Sequence, residues 1–135
     1  MSEEIKKGFL GILVDETTIS HLVPELSALT YRGYTVQELC DKCDFEEVAY
    51  LVLNGELPNK NQLKKFIKQE RSERKLSKQI LSDIKKMPKN AHPMDVIRTC
   101  VSLMALEDKD TKDNSPKANM RKAMRIFAKT PTAVA

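Results

Sequence analysis

The most constraining feature of the sequence is a series of helix-start signals that begins at Thr35. A capping box pairs two side chains three residues apart, and each satisfies a backbone amide that the first helical turn leaves unpaired. Further starts are expected where a capping side chain precedes a helix or where proline stands at its first position. These signals occur at Thr35 with Glu38, Asp44 with Glu47, Asn59 with Gln62, Ser77, His92-Pro93 and Ser115-Pro116. They predict a mainly α-helical fold with helices over about 36–135.

Signals for helix ends agree with these starts. Asn54-Gly55 suits the left-handed conformation that ends a helix, and Met87-Pro88 ends the fourth helix. Thr130-Pro131 reads as one more helix start, yet only residues 132–135 follow it. Isolated helices shorter than about 12 residues are marginal in water. We therefore expect the sequence to be the front part of a longer protein.

The first part of the chain has a different composition. Glycine and β-branched residues are frequent at 8–14 and 17–20, and Ala28–Tyr31 precedes the turn residues Arg32-Gly33. This pattern predicts two or three short strands over about 8–34. No linker, repeat or low-complexity segment divides the chain, so we place no domain boundary within residues 1–135.

The core is expected to be aliphatic, because 41% of residues are hydrophobic but only 5% are aromatic and there is no Trp. Apolar residues recur at helical spacing along the four later helices. The predicted inward residues are Leu63, Phe66, Ile67, Ile80, Leu81, Ile84, Met94, Ile97, Cys100, Val101, Leu103, Met104, Ala118, Met120, Ala123, Met124, Ile126 and Phe127.

Charge and hydropathy argue against two classes of partner. The net charge is +4, but acidic residues are interspersed with the basic ones, so neither the chain nor its most basic run, 64–78, is expected to bind nucleic acid. We interpret that run as a solvated helix surface. No apolar run approaches the roughly 20 residues needed to span a membrane. The acidic start at Glu3 and Glu4 does not resemble an export signal, so we expect a cytoplasmic protein.

Few residues suggest catalysis. His21 and His92 lie in different segments without a nucleophile motif beside them, and His92 is expected to cap a helix. Cys40 and Cys43 form a Cys-x-x-Cys pair, which occurs in redox and zinc sites, but Cys100 and the histidines do not supply matching zinc ligands. We interpret the pair as an ordinary feature of a helix. An odd number of cysteines favours reduced thiols, and we predict no cofactor and no metal.

Four blocks of the sequence strongly resemble the citrate synthase family. The third block, which contains His-Pro-Met-Asp-Val, is more similar to the short bacterial 2-methylcitrate synthases than to the long citrate synthases. The blocks occur in family order and cover nearly the whole chain. They are 29–39 (LTYRGYTVQEL), 45–58 (FEEVAYLVLNGELP), 91–102 (AHPMDVIRTCVS) and 128–132 (AKTPT).

The resemblance implies a mostly helical homodimer that condenses an acyl-CoA, either propionyl- or acetyl-CoA, with oxaloacetate. It places this chain in the N-terminal part of the large domain. The family's catalytic motifs lie beyond the equivalent of Ala135, so no catalytic role is carried onto His21 or His92. Four basic residues are candidates for contacting a CoA phosphate, although a role on the solvated surface is favoured: Arg74, Lys117, Arg121 and Lys122.

Two hypotheses follow for the chain as it stands. The first is an N-terminal fragment of a citrate or 2-methylcitrate synthase, which is scaffold and inactive alone. The alternative is a standalone helical binding protein derived from the same scaffold. Under the first, apolar stripes intended for other helices stay exposed, and we expect oligomers or partial order.

Overall fold

The computed structural model of the protein describes residues 8–9, 11–26 and 28–135. They belong to two compact units, one up to Pro58 and one from Asn59 to Ala135. Residues 1–7 and Leu10 lie outside the described ones. The expectation of no export signal rests on residues 1–7, and Leu10 belongs to the region 8–34 in which strands are predicted.

The first unit contains a three-stranded antiparallel sheet in the order β1-β2-β3, comprising Ser20–Val23, Ala28–Tyr31 and Tyr34–Thr35. A short 3-10 helix, Pro24–Leu26, connects β1 to β2. The number of strands confirms the prediction, but the described residues before Ser20 form no strand. Gly8 and Gly11 adopt φ of 84° and 73°, which interrupts an extended chain there.

The turn between β2 and β3 explains the Tyr-Arg-Gly-Tyr sequence. Tyr31 pairs with Tyr34, and the two residues between them, Arg32 and Gly33, have φ of 49° and 90°. Positive φ at both central positions is the requirement of the tight hairpin turn that matches strand twist. Gly33 adopts it without a steric penalty, whereas Arg32 needs support from its surroundings.

Two helices complete the first unit, α1 (Val36–Lys42) and α2 (Phe45–Asn54), and both begin at the predicted capping boxes. At α1 the Thr35 hydroxyl accepts a hydrogen bond from the Glu38 amide. At α2 the Asp44 amide donates to a Glu47 carboxylate oxygen at 2.8 Å. α2 ends at Gly55, which has φ of 93° and donates its amide to the Leu51 carbonyl.

The second unit consists of four helices: α3 (Lys60–Glu73), α4 (Lys78–Lys86), α5 (Pro93–Glu107) and α6 (Pro116–Val134). α6 packs against both α3 and α5, and α4 packs against α5. The caps predicted at Asn59, Ser77, His92 and Ser115 all accept hydrogen bonds from first-turn amides. The prediction of a mainly helical chain is therefore confirmed.

One predicted helix start is wrong. Pro131 does not open a new helix but lies inside the last turns of α6. Proline lacks the amide that would bond to the carbonyl four residues earlier, so it costs the helix one hydrogen bond. Just before it, the Thr130 hydroxyl donates to the Ile126 carbonyl at 2.7 Å, and the helix continues until the Ala135 amide bonds to the Pro131 carbonyl. Thr130-Pro131 therefore no longer supports the expectation that the sequence is the front part of a longer protein.

The core of the second unit is aliphatic, as composition predicted. Leu76, Ile80, Cys100 and Met104 form a buried cluster. Between α3 and α6 the rings of Phe66 and Phe127 lie 6.3 Å apart. Four predicted inward residues are instead exposed, because no element in the described part of the chain covers them: Leu81 at 42%, Met94 at 61%, Met120 at 41% and Ile126 at 41%.

Candidate functional site

The two histidines lie on different elements of the fold. His21 lies on β1 in the first unit with an exposed side chain. His92, in the second unit, is the N-cap of α5, and its Nδ1 accepts a hydrogen bond from the Met94 amide at 3.2 Å. The capping role predicted for His92 is confirmed. Among the described residues, neither imidazole hydrogen-bonds to a carboxylate or a nucleophile.

The candidate CoA-phosphate contacts lie at two places in the second unit. Arg74 follows the end of α3, and its Nε donates to a Glu70 carboxylate oxygen at 2.7 Å. Lys117, Arg121 and Lys122 lie on the first turns of α6. The Lys122 ammonium donates to the Asp113 carbonyl at 2.7 Å, and Lys117 is exposed.

Arg121 belongs to an ion-pair cluster that sequence analysis did not identify. Its guanidinium makes two hydrogen bonds to Asp110, at 2.8 and 2.9 Å. One helical turn later, Arg125 makes two hydrogen bonds to Asp108 and a third to Asp110, all at 2.7 Å. The side chains of Arg125, Asp108 and Asp110 are 13%, 11% and 14% exposed, so three of the four charges are largely withdrawn from water.

The cluster fixes the connector between α5 and α6. Asp108 ends α5, and its carboxylate also accepts the Asp110 amide at 2.8 Å. Hydrogen bonds from Arg125 hold the pKa of Asp108 below its usual range, because they favour the ionised carboxylate. Hydrogen bonds from Arg121 and Arg125 likewise hold the pKa of Asp110 well below its usual range. All four groups are therefore charged near neutral pH and bonded to one another.

Sequence could have suggested this cluster. Arg121 and Arg125 are four residues apart, hence on one face of α6, and Asp108 and Asp110 stand in the short connector before it. The pairing itself depends on how the connector folds back on α6, which no local pattern determines.

Glu70 is buried, although it lies in the most basic run of the sequence. We assigned the basic run 64–78, which includes Glu70, to a solvated surface. Its basic residues are exposed as expected, but Glu70 is only 3% exposed. Glu70 follows Leu63, Phe66 and Ile67 on the same helical face, so it occupies a position in the apolar stripe. Its Oε2 is buried without a partner among the described residues.

Arg32 connects the hairpin turn to α2. One terminal nitrogen donates to the Thr18 hydroxyl at 2.7 Å, and the other to the Val52 carbonyl at 3.2 Å. The second bond satisfies a carbonyl near the end of α2 that lacks a helical partner. These contacts support the left-handed backbone of Arg32. A neighbouring polar pocket of about 270 Å³ is lined by Thr17, Thr18, Ile19, Ser20, His21, Thr30, Arg32 and Gly33.

The second unit has a groove of about 480 Å³ between α4, the start of α5 and the end of α6. Ile84, Met87, Val96 and Ala133 make its walls largely apolar, and its lining contains no carboxylate or histidine. Such a surface can bury apolar groups, and the titratable side chains in its lining are two exposed lysines, Lys85 and Lys89.

Two further findings concern classes of site. The described residues contain no group of three or more His, Cys, Asp or Glu side chains arranged to hold a metal ion. Among these residues, none of the helices combines the length and the hydropathy needed to cross a lipid bilayer.

Comparison with known proteins gives consistent results. The family profile described as "Citrate synthase, C-terminal domain" matches residues 8–135. A 2-methylcitrate synthase of Mycobacterium tuberculosis is 48% identical over 132 residues, covering 98% of this chain and 33% of that protein. A citrate synthase of Mycolicibacterium smegmatis is 47% identical, covering 97% and 35%.

The fold matches solved citrate synthases. The crystal structure of the Thermotoga maritima enzyme superposes with a TM-score of 0.81 at 31% identity, covering 97% of this chain and 33% of that one. This chain thus spans about a third of the length of its relatives. The profile's description names a C-terminal domain, whereas the sequence resemblance suggested an N-terminal part, so the position within a whole enzyme remains a prediction. The sequence and the fold together establish that the chain belongs to the citrate synthase family.

Proposed function

We propose that this chain is the N-terminal part of the large domain of a 2-methylcitrate or citrate synthase, an acyltransferase that joins propionyl- or acetyl-CoA to oxaloacetate. The observation that carries the proposal is the 48% identity with a 2-methylcitrate synthase over 98% of the chain. The comparisons do not support the alternative, a standalone binding protein.

Within that enzyme the segment acts as scaffold. Condensation requires a base to remove an α-proton and hydrogen-bond donors to stabilise the enolate. Two of the described polar groups illustrate a structural role: His92 caps α5, and Arg125 holds the connector. The chain alone is therefore expected to be inactive.

Two of the four candidate CoA contacts, Arg74 and Arg121, are engaged in ion pairs, which favours a surface role over phosphate binding. A guanidinium binds phosphate through its fork of N–H donors. In Arg121 that fork is already occupied by Asp110, and in Arg74 the Nε is bonded to Glu70. We extend the proposal to a cytoplasmic homodimer, since the family resemblance implies the dimer and an odd number of cysteines suits a reducing compartment.

A chimera tests this proposal. Residues 8–135 replace the matching segment of the M. tuberculosis 2-methylcitrate synthase, and CoA release is measured with oxaloacetate and each thioester. We expect an active enzyme with the recipient's thioester preference. The matched control carries Leu51→Asp, which places a charge at a fully buried position and should abolish folding. A folded but inactive chimera would contradict the proposal, as would CoA release by the isolated chain.

A further inference from the structure

Cys40 and Cys43 open into the same small pocket of the first unit. The pocket has a volume of about 230 Å³ and a mostly apolar lining. Cys40 is exposed, Cys43 is half-buried, and both thiols are free. The other residues around the pocket are Tyr31, Val36, Leu39, Phe45 and Val48.

The backbone places the two cysteines at a distance that a disulfide can span. Cys43 directly follows α1 and has an extended backbone, with φ of −125° and ψ of 145°. Its amide still bonds to the Leu39 carbonyl at 3.0 Å, so the helical spacing from Cys40 to Cys43 is kept. Helical geometry puts α-carbons three residues apart at about 5 Å. Disulfides join α-carbons about 4.4–6.8 Å apart, provided that the side chains converge. Both cysteines line the same pocket, which places their side chains on one side of this turn.

We propose that Cys40 and Cys43 form a reversible dithiol–disulfide site for small disulfides such as oxidised glutathione. The Cys40 thiolate attacks one sulfur of the small disulfide, forms a mixed disulfide and releases one thiolate. The Cys43 thiolate then attacks the Cys40 sulfur, closes the protein disulfide and releases the second thiolate. The two leaving groups take up the two cysteine protons, so two protein thiols are oxidised and one small disulfide is reduced.

The surroundings favour this order of attack. Cys40 is exposed and meets the oxidant first, whereas Cys43 lies deeper in the pocket. Burial raises the pKa of the Cys43 thiol, and the carboxylates of Glu47 and Asp44 raise it further. These effects disfavour the Cys43 thiolate as the first attacking group, and the half-buried position of Cys43 suits the second step. Oxidation would link the last turn of α1 to the residue preceding the Asp44 cap of α2.

Thiol counting and intact mass test the proposal. The reduced chain is treated with oxidised glutathione and then unfolded, and its thiols are counted with Ellman's reagent. We expect a fall from three thiols to one, a mass lower by two hydrogens, and full recovery with dithiothreitol. The remaining thiol is Cys100, which is 0% exposed and serves as an internal control. In Cys43→Ser, Cys40 should instead retain a bound glutathione.

A second measurement tests whether the fold positions the pair. Phenylarsine oxide bridges two adjacent thiols. One equivalent should therefore protect two thiols of the wild type from Ellman's reagent. The variants Cys40→Ser and Cys43→Ser should not show this protection. The extent of disulfide closure should be greater in buffer than in urea. Three thiols remaining after oxidation, a stable glutathione adduct on the wild type, disulfide-linked dimers, or equal closure in urea would each overturn the proposal.

Discussion

The ion pair between Arg125 and Asp108 provides the sharpest test of the structure. Arg125→Met keeps much of the side-chain volume but removes the guanidinium, leaving Asp108 ionised, 11% exposed and without its two hydrogen bonds of 2.7 Å. Removing one partner of a buried pair typically costs about 3–5 kcal/mol, whereas an exposed pair contributes about 0–1 kcal/mol.

We expect a loss near the lower end of the buried range. Asp108 is 11% exposed and keeps the hydrogen bond from the Asp110 amide, so its charge is partly compensated once Arg125 is gone. A loss of about 3 kcal/mol lowers the folding equilibrium constant roughly a hundredfold, since about 1.4 kcal/mol corresponds to a factor of ten. Urea unfolding followed by far-UV circular dichroism measures this change.

Two variants make the measurement specific. Arg98→Met removes an ion pair with Asp95 whose side chains are 78% and 60% exposed, and it should change stability by less than about 0.5 kcal/mol. The double variant Arg125→Met/Asp108→Asn removes the orphaned charge and should recover part of the loss. Equal effects of Arg125→Met and Arg98→Met would refute the assignment of a buried ion pair.

Three further predictions follow from the same structure. Folding lowers the pKa of Asp108, so the stabilisation by its carboxylate is present above about pH 4 and is lost as the pH falls through the lowered value. The difference in unfolding free energy between wild type and Arg125→Met should therefore shrink below about pH 4. A difference that stays constant with pH would contradict this. Leu51→Ala should cost about 3 kcal/mol in urea unfolding because Leu51 is 0% exposed, whereas Leu106→Ala, at 83% exposed, should change little. Gly55→Ala should lower the thermal midpoint, at a cost of about 1 kcal/mol, because alanine is strained at φ of 93° although its Cβ would meet no atom within 4 Å.

Local signals in the sequence predicted the helices well. Each capping box depends on two side chains three residues apart, so its information is complete within one helical turn. The start at His92-Pro93 is an example: the His92 imidazole caps the Met94 amide as expected. The family could likewise be recognised from four local blocks.

Tertiary contacts overrode the local pattern elsewhere. Pro131 carries a helix-start signal, but α6 is already formed and continues through it. Glu70 has the charge of a surface residue, yet it occupies a stripe position and is buried beside Arg74. The bonds from Arg125 to Asp108 join residues 17 positions apart, and the folded connector sets that distance rather than the spacing in the sequence.

The distribution of polar contacts supports the proposal that this segment acts as scaffold. A group that fixes geometry must be bonded within the protein, whereas a catalytic group must have donors or acceptors left for substrate. Arg32 uses both terminal nitrogens on Thr18 and Val52, and Arg125 uses its fork on two aspartates. These residues hold a turn and a connector in place. On this reasoning the segment supports a site formed by other residues, and the chimera is expected to take its thioester preference from its recipient.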